Sequence, residues 1–362
     1  MRKKYHRWPN TAITELLKIK LPLIQAPMAG GATTPELVAA VSNAGGLGSL
    51  GAGYMAADEI KKTIKKIKFL TNKPFSVNLF IPEKHHASDE QIEQARKLVQ
   101  ASCSELNFNI ASIKAPYTPP FEEQMNVIVE ETVPILSFTF GIPSKDWIEI
   151  FKSNAITLIG TATTLGEAKL LEENNIDVVV AQGGEAGGHR GTFLGSEENA
   201  LISISSLVPL LIEHIKIPVI AAGGIMNAEK ILELLTLGAS AVQMGTAFLC
   251  CAESGIHPLY KELLLNTAHD NTTLTRAFSG KLARGIMNKF ITRMQPHEKN
   301  ILAYPIQNTL TSAMRKVAAK QNNPDFMSMW AGQAAQFCKA LPAAQLIEKL
   351  NNEVTTLTKQ SS

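Results

Sequence analysis

The densest group of chemically capable residues lies at 181–191, AQGGEAGGHRG, where five glycines in eleven residues carry Glu185, His189 and Arg190 directly after an apolar run. A main chain so rich in glycine can lie against a flat or phosphorylated ligand. A histidine beside it titrates near neutrality and can move a proton. A histidine that merely orders its loop is the competing reading, and the loop by itself leaves the two level. Two further glycine sites recur downstream: Gly223 and Gly224 close the run 218–224, and Gly245 lies within Gln243-Met244-Gly245-Thr246. Backbone N–H groups at such turns suit a phosphate, whether it belongs to a sugar, a nucleotide or a flavin. Asn78 and Gln182 also end apolar runs. Each alone reads as a turn residue or a satisfied polar end, and their recurrence at equivalent places gives them weight.

Other chemistries find less support. No HxH, HExxH or clustered Cys/His spacing occurs, so no metal is expected, and GxSxG and GxxxxGK[ST] are absent. None of the apolar runs contains a lysine, which argues against a Schiff-base aldolase on the same glycine loops. The glycines between Gly46 and Gly53 lack the acidic residue that a dinucleotide site needs. Lys281 and Arg284, in FSGKLARG, read equally as an anion anchor or as a solvated basic loop. His85 and His86 flank charged residues and read as solvated; His6, His214, His257, His269 and His297 stand outside any constellation.

Strand-end residues need a frame that brings strand ends together. Short apolar runs at 22–28, 46–51, 74–80, 133–141, 156–162, 177–183, 218–224 and 240–248 alternate with segments of helical period, as βα units around a parallel sheet do. Most are apolar on both faces, which suits strands covered on both sides. Thr34-Pro35-Glu36 marks one helix start with a cap, a proline and an acid. Residues 56–70 set Ile60, Ile64 and Ile67 among lysines, Ser88 opens a helix running to about Leu106, and Thr164 and Asn227 begin two more. The pattern predicts an α/β fold, a (β/α)8 TIM barrel over 1–252, with a doubly wound open sheet as the alternative. Residues 253–333 predict a smaller, mostly helical cap without strand partners, and 334–362 a C-terminal helix and tail returning to the barrel, with 355–362 disordered. The proline-rich stretch 107–120 is an excursion before the fourth strand.

With 362 residues, 45% hydrophobic and 19% charged, the chain can bury a full core, and its net charge of +3 with 6% aromatics offers no nucleic-acid platform or anionic-membrane surface. The basic start lacks a following apolar segment, and no uninterrupted run is long enough to span a membrane. The four cysteines show no CxxC spacing. A soluble protein of the reducing cytoplasm is expected.

In order along 21–333, the segments PLIQAPMAGGATTPELVAAVSNAGGLGSLGAG, FSVNLF, FTFGIP, IGTATT, VAQGGEAGGHRGTF, IPVIAAGGI, GASAVQMGTAFL, FSGKLARGI and YPIQN…MWAGQ resemble the nitronate monooxygenases, formerly called 2-nitropropane dioxygenases. AQGxEAGGHRG together with VQMGTAFL and WAGQ carries most of the specificity. The resemblance implies an FMN-binding TIM barrel with a mostly helical second domain. It implies that Asn78 and Gln182 contact the flavin, that Gly187 and Gly224, with their neighbours Gly188 and Gly223, approach it by backbone, and that Gln243, Met244, Gly245 and Thr246 wrap its phosphate end. Ala26, Pro27 and Met28 would line the isoalloxazine, His189 would be the catalytic histidine, and Tyr304 with the segment from Trp330 to Gln333 would close the pocket. The implied reaction oxidises an alkyl nitronate, notably propionate 3-nitronate, with O2 to a carbonyl compound plus nitrite or nitrate, as a detoxification. Lys281 or Arg284 is the expected partner of the substrate carboxylate. A homo-oligomer is compatible with this reading. Related FMN barrels include NAD(P)H:quinone reductases and a flavin-dependent enoyl-acyl-carrier-protein reductase. They are the alternative, and would need a nicotinamide site that the sequence does not reveal. A non-catalytic flavin carrier would leave His189 without a task.

Overall fold

The computed structural model describes residues 8–83, 85–267 and 271–360; the basic start with His6, and also His269 and the last two residues, lie outside the described residues. In chain order the strands are β1 (Leu23–Gln25), β2 (Gly48–Gly51), β3 (Phe75–Phe80), β4 (Ile135–Thr139), β5 (Thr157–Ala162), β6 (Val178–Gln182), β7 (Gly188–His189), β8 (Val219–Ala222), β9 (Ala241–Met244), β10 (Thr272–Thr275) and β11 (Ala283–Ile286). Eight of them form one parallel sheet in the order β1-β9-β8-β6-β5-β4-β3-β2. Leu47 joins its two ends, accepting from Gln25 N and donating to Leu23 O, both at 2.9 Å. The sheet is therefore a closed (β/α)8 barrel and not an open doubly wound sheet. Each of the eight apolar runs contains one of these strands. The run 240–248 stops being a strand at Met244, and Thr246–Leu249 turns into a short helix.

Alternation along the strands sorts two cores. In β6, Val178 and Val180 face the barrel interior while Val179 and Ala181 pack outward under the helices; in β8, Ile220 and Ala222 face in, Val219 and Ala221 out. Ile13, Leu17 and Ile19 join the interior cluster. They come from a helix, Ala12–Leu17, and its exit, and meet the first residues of several strands, which closes the N-terminal end of the barrel. The opposite end is left for ligands. The outer helices start where the capping residues predict: Thr34 accepts from Leu37 N at 3.0 Å, Ser88 from Gln91 N at 3.2 Å and Asn227 from Lys230 N at 3.0 Å, and Thr164 forms a capping box with Glu167.

Two expectations are corrected. Residues 253–333 do contain strands: β10 pairs with β11, and β11 pairs with β7 in the loop after β6, setting Ala283 opposite His189 and Arg284 opposite Gly188. TTLT and ARGI are too short and too polar to register as apolar runs, and the partner comes from a distant loop. Residues 355–360 are not disordered but continue the helix Ala343–Gln360. That helix buries Leu346, Ile347, Leu350 and Val354, and Leu357 packs on the same core. A further core joins Val99, Cys103 and Leu106 to Phe278, Phe290, Met314 and Phe326, so the chain after β3 packs with residues of 253–333. Among the described residues no helix is long and apolar enough to cross a membrane.

Candidate active site

The C-terminal ends of the barrel strands and the layer above them enclose a cavity of about 810 Å³, a size suited to a cofactor with a small substrate. Its floor is the barrel: Ala26, Pro27 and Met28 after β1, Asn78 of β3, Gln182 of β6, then Gly187, Gly188 and His189, Gly223 and Gly224 after β8, and Gln243 to Thr246. Its roof is Asn308, Ser312 and Arg315 of the helix Ile306–Lys320, together with Trp330 and Gly332. Tyr117 from the excursion 107–120 reaches the rim.

The floor recognises with backbone. Gly223 and Gly224 hold φ of +125° and +67°, a region costly to any residue with a side chain. Their amides and that of Gly245 make no hydrogen bond within the described residues. Free N–H groups in such a turn form a cradle for an anion, such as the phosphate of a ligand. A Cβ on Gly187 would stand 2.5 Å from Ala331 C and Gly332 N. Its glycine identity is thus set by the roof segment. Gly188, at φ +75°, faces open space. Asn78 donates from Nδ2 to Ser137 Oγ at 3.0 Å and Thr139 Oγ1 at 3.4 Å, which fixes the amide and leaves Oδ1 for a ligand. Gln182 lines the cavity with its polar atoms committed: Nε2 donates to His189 O at 2.9 Å and Oε1 accepts from Gly191 N at 2.7 Å. Its amide braces the histidine loop.

His189 sits where floor and roof meet. Its Nε2 lies 2.8 Å from Ser279 Oγ, which is 3.1 Å from Lys281 O. The rings of Trp330, Phe140 and Tyr304 stand 5.3, 6.0 and 6.1 Å away. Burial among them, with the nearby charges of Lys281 and Arg315, pushes the imidazole down to about 3, so the ring is neutral at neutral pH. Tyr304 is itself only 3% exposed and stands behind the histidine without lining the cavity. Arg190 and Glu185 are structural. The guanidinium of Arg190 donates to the carbonyls of Gly183 and Gln182, both at 2.6 Å, and Glu185 accepts from Ile204 N at the start of a helix.

The expected carboxylate anchors lie elsewhere. Lys281 does not line the cavity; its ammonium is 2.6 Å from Glu83 and 3.6 Å from Glu197, over the Phe140 ring. Arg284 is buried and donates to Gly184 O at 3.3 Å. The charge of Lys281 is paired, and Arg284 does not line the cavity, so neither is offered to a ligand. The guanidinium that lines the cavity is that of Arg315. Arg315, Tyr54, Phe140 and Ser279 escaped sequence reasoning. A usable signal existed for one: Asn308, Ser312 and Arg315 fall at i, i+4 and i+7, a polar stripe in a helix that otherwise buries Leu310, Met314 and Ala318.

A family model described as nitronate monooxygenase matches residues 10–353. The chain belongs to the nitronate monooxygenase family. A relative named probable nitronate monooxygenase from Staphylococcus haemolyticus is 44% identical over 352 residues, covering 97% of this chain and 98% of the relative. One of the same name from Staphylococcus aureus is 41% identical over 351 residues, 97% and 99% of the two chains. Among solved structures, the nitroalkane oxidase from Streptomyces ansochromogenes superposes with a TM-score of 0.91 at 38% identity, over 97% of this chain and 100% of that one. FabK from Thermotoga maritima superposes at 0.77 and 30% identity, over 97% and 98%. The nitronate monooxygenase match spans floor and roof alike, so the fold and the enzyme class, an oxidoreductase, extend to the whole cavity.

Proposed function

We propose that this nitronate monooxygenase uses FMN to oxidise alkyl nitronates, propionate 3-nitronate in particular, with O2 to a carbonyl compound and nitrite or nitrate, as a detoxification in the reducing cytoplasm. The observation that carries the reading is the charge of the cavity. Among the described residues its lining includes no Asp or Glu, yet it presents unpaired glycine amides, a neutral imidazole and a guanidinium. Such a site favours anions, and both FMN and a nitronate are anionic.

Bound FMN supplies the electron-accepting chemistry. The amides of Gly223, Gly224 and Gly245 would hold its phosphate, and Asn78 Oδ1 would accept from its ring edge. The remaining work belongs to this chain. A nitronate has already lost its α-proton, so the histidine need not be a strong base. A neutral imidazole braced by Ser279 can donate or accept one hydrogen bond to orient the anion, and Phe140 and Trp330 exclude water. With a neutral nitroalkane the same nitrogen would have to take the proton, against the pull of Lys281 and Arg315.

The test is the visible spectrum of FMN-loaded protein without oxygen, before and after propionate 3-nitronate, with NADH and NADPH in parallel. Bleaching of the flavin by nitronate alone, followed by O2 uptake and nitrite on aeration, is expected. Bleaching by a nicotinamide and not by nitronate would assign a reductase instead. Protein that takes up no FMN would overturn the cofactor.

A further inference from the structure

We infer that Cys250 and Cys338 form a redox-active thiol pair, which hydrogen peroxide closes into a disulfide that latches the roof of the cavity to the barrel. The pairing rests on the two thiols alone; only its effect on FMN rests on the cofactor reading above.

The two residues come from different parts of the cavity wall. Cys250 follows the short helix Thr246–Leu249, whose Thr246 and Leu249 line the cavity, and Cys338 follows the turn Ala335–Phe337, just beyond the lining residues Trp330, Gly332 and Ala334. Their side chains hydrogen-bond each other. Cys338 Sγ also lies 3.3 Å from Thr246 O, and Cys250 Sγ 3.8 Å from Lys261 O. Cys251, next along the chain, packs the other way, into the core under the barrel helices, while Cys250 joins the core that holds Phe278, Met314 and Phe326. Only one of the two neighbouring thiols therefore faces Cys338. The hydrogen bond from Cys338, helped by the charge of Lys261, holds the Cys250 thiol below its usual range, and the same bond, with burial, holds Cys338 above it. Burial pushes the Cys251 thiol up to about 12 and that of Cys103 up to about 11. Of the four free thiols, Cys250 is thus the one biased toward thiolate, the reactive form. Cys338 is only half-buried, which opens the pair to a molecule as small as peroxide.

The Cys250 sulfur attacks one oxygen of hydrogen peroxide: an S–O bond forms, the O–O bond breaks, and the other oxygen takes a proton and leaves as water. Cys338 gives up its proton and attacks the resulting sulfenic acid; an S–S bond forms, the S–O bond breaks, and the hydroxyl leaves with that proton as a second water. Two thiols lose two electrons, and one peroxide becomes two waters. Before this step the roof segment is held to the barrel side by hydrogen bonds, from Tyr260 Oη to Trp330 O, from Gly332 N to Thr246 Oγ1 at 3.0 Å, and between Cys338 Sγ and Thr246 O. The disulfide adds a covalent tie at the end of this seam. It closes a chain loop containing β10, β11 and the helix Ile306–Lys320, and such closure restricts local opening.

The experiment takes the full chain, reduced and then freed of reductant, and exposes it to hydrogen peroxide. Remaining thiols are alkylated, and the protein is digested without reduction for mass spectrometry. The product should keep two of its four free thiols and yield a peptide linked through Cys338, present in wild type and Cys251→Ser and missing from Cys250→Ser and Cys338→Ser. Dithiothreitol should restore all four thiols. The oxidised form should melt higher by about 5 °C and release FMN more slowly by on the order of 10-fold, read as the return of free-flavin fluorescence on dilution. Cys338→Ser should show neither change with peroxide. Linkage through Cys251, linkage between two copies of the chain, or sulfinic acid at Cys250 without linkage would overturn the pair. A linkage that leaves melting temperature and FMN release unchanged would overturn the latch. Protein that takes up no FMN would remove the cofactor reading, while the linked peptide and the melting shift still decide the pair.

Discussion

The floor and the roof of the cavity are made of different materials. The floor presents main chain: Gly223, Gly224 and Gly245 offer amides, Gly188 lets the histidine loop bend, and Gly187 lets it pass close beneath the roof. The roof presents side chains, Arg315 and Trp330, and the loops after β2 and β4 add the rings of Tyr54 and Phe140. Backbone recognition demands glycine at fixed positions and so marks the sequence, and it suits a ligand common to many enzymes. Side-chain recognition depends on which residues distant segments bring together, and it suits the substrate that differs between relatives. His189 stands on the seam, held from below by Gln182 on its own backbone oxygen and from above by Ser279 on its ring.

The largest effect expected is at the seam itself. Gly187→Val drives a side chain into Ala331 and Gly332 from a position already 2.5 Å away. It should cost about 3 kcal/mol and release the flavin, seen as a lower melting temperature and a colourless preparation. Gly188→Ala meets open space and suffers only its positive φ, about 1 kcal/mol. Equal losses at the two positions would show that the roof does not bear on Gly187.

His189→Asn comes next. It should cut turnover of neutral nitroalkanes roughly 100-fold while flavin stays bound and nitronate turnover falls far less. Equal loss on both substrates would make the ring a binding group alone. The same variant has a stability signature. The folded imidazole protonates only near 3 against an ordinary 6.5, so between those values the unfolded chain binds the extra proton and stability falls as the pH drops. Urea titrations at pH 7.5, 5.5 and 4.5 should show that slope flattened in the variant.

Lys281→Met should do least, because the ammonium serves Glu83 and Glu197 and not the ligand. About 1 kcal/mol of stability is expected to go, with the acid limb of the pH profile moving up as one of the charges depressing His189 disappears. A loss of propionate 3-nitronate binding on the order of 10-fold or more would return the carboxylate anchor to Lys281.

The sequence by itself determined the eight βα units and the glycines of the cavity floor, while closure into a barrel was decided where Leu47 joins the sheet's two ends. The signals there are local: apolar runs that alternate in and out, capping residues such as Thr34 and Asn227 at helix starts, and glycines at 223, 224 and 245 where the turn needs them. The C-terminal helix was partly legible, since the apolar period of 346–354 is plain, but the polar residues after it hid its continuation to Gln360. Only the tertiary structure decided the rest. β7, at two residues, is too short and β10 and β11 are too polar to be read as strands, and all three exist through pairing across the chain. Lys281 and Arg315 are both cations on the roof side of a buried histidine, and nothing local distinguishes them. Glu83, 198 residues from Lys281, takes up one charge, and no carboxylate arrives for the other. A charge is available to a ligand only if the fold leaves it unpaired, and pairing between distant segments is not written at either position.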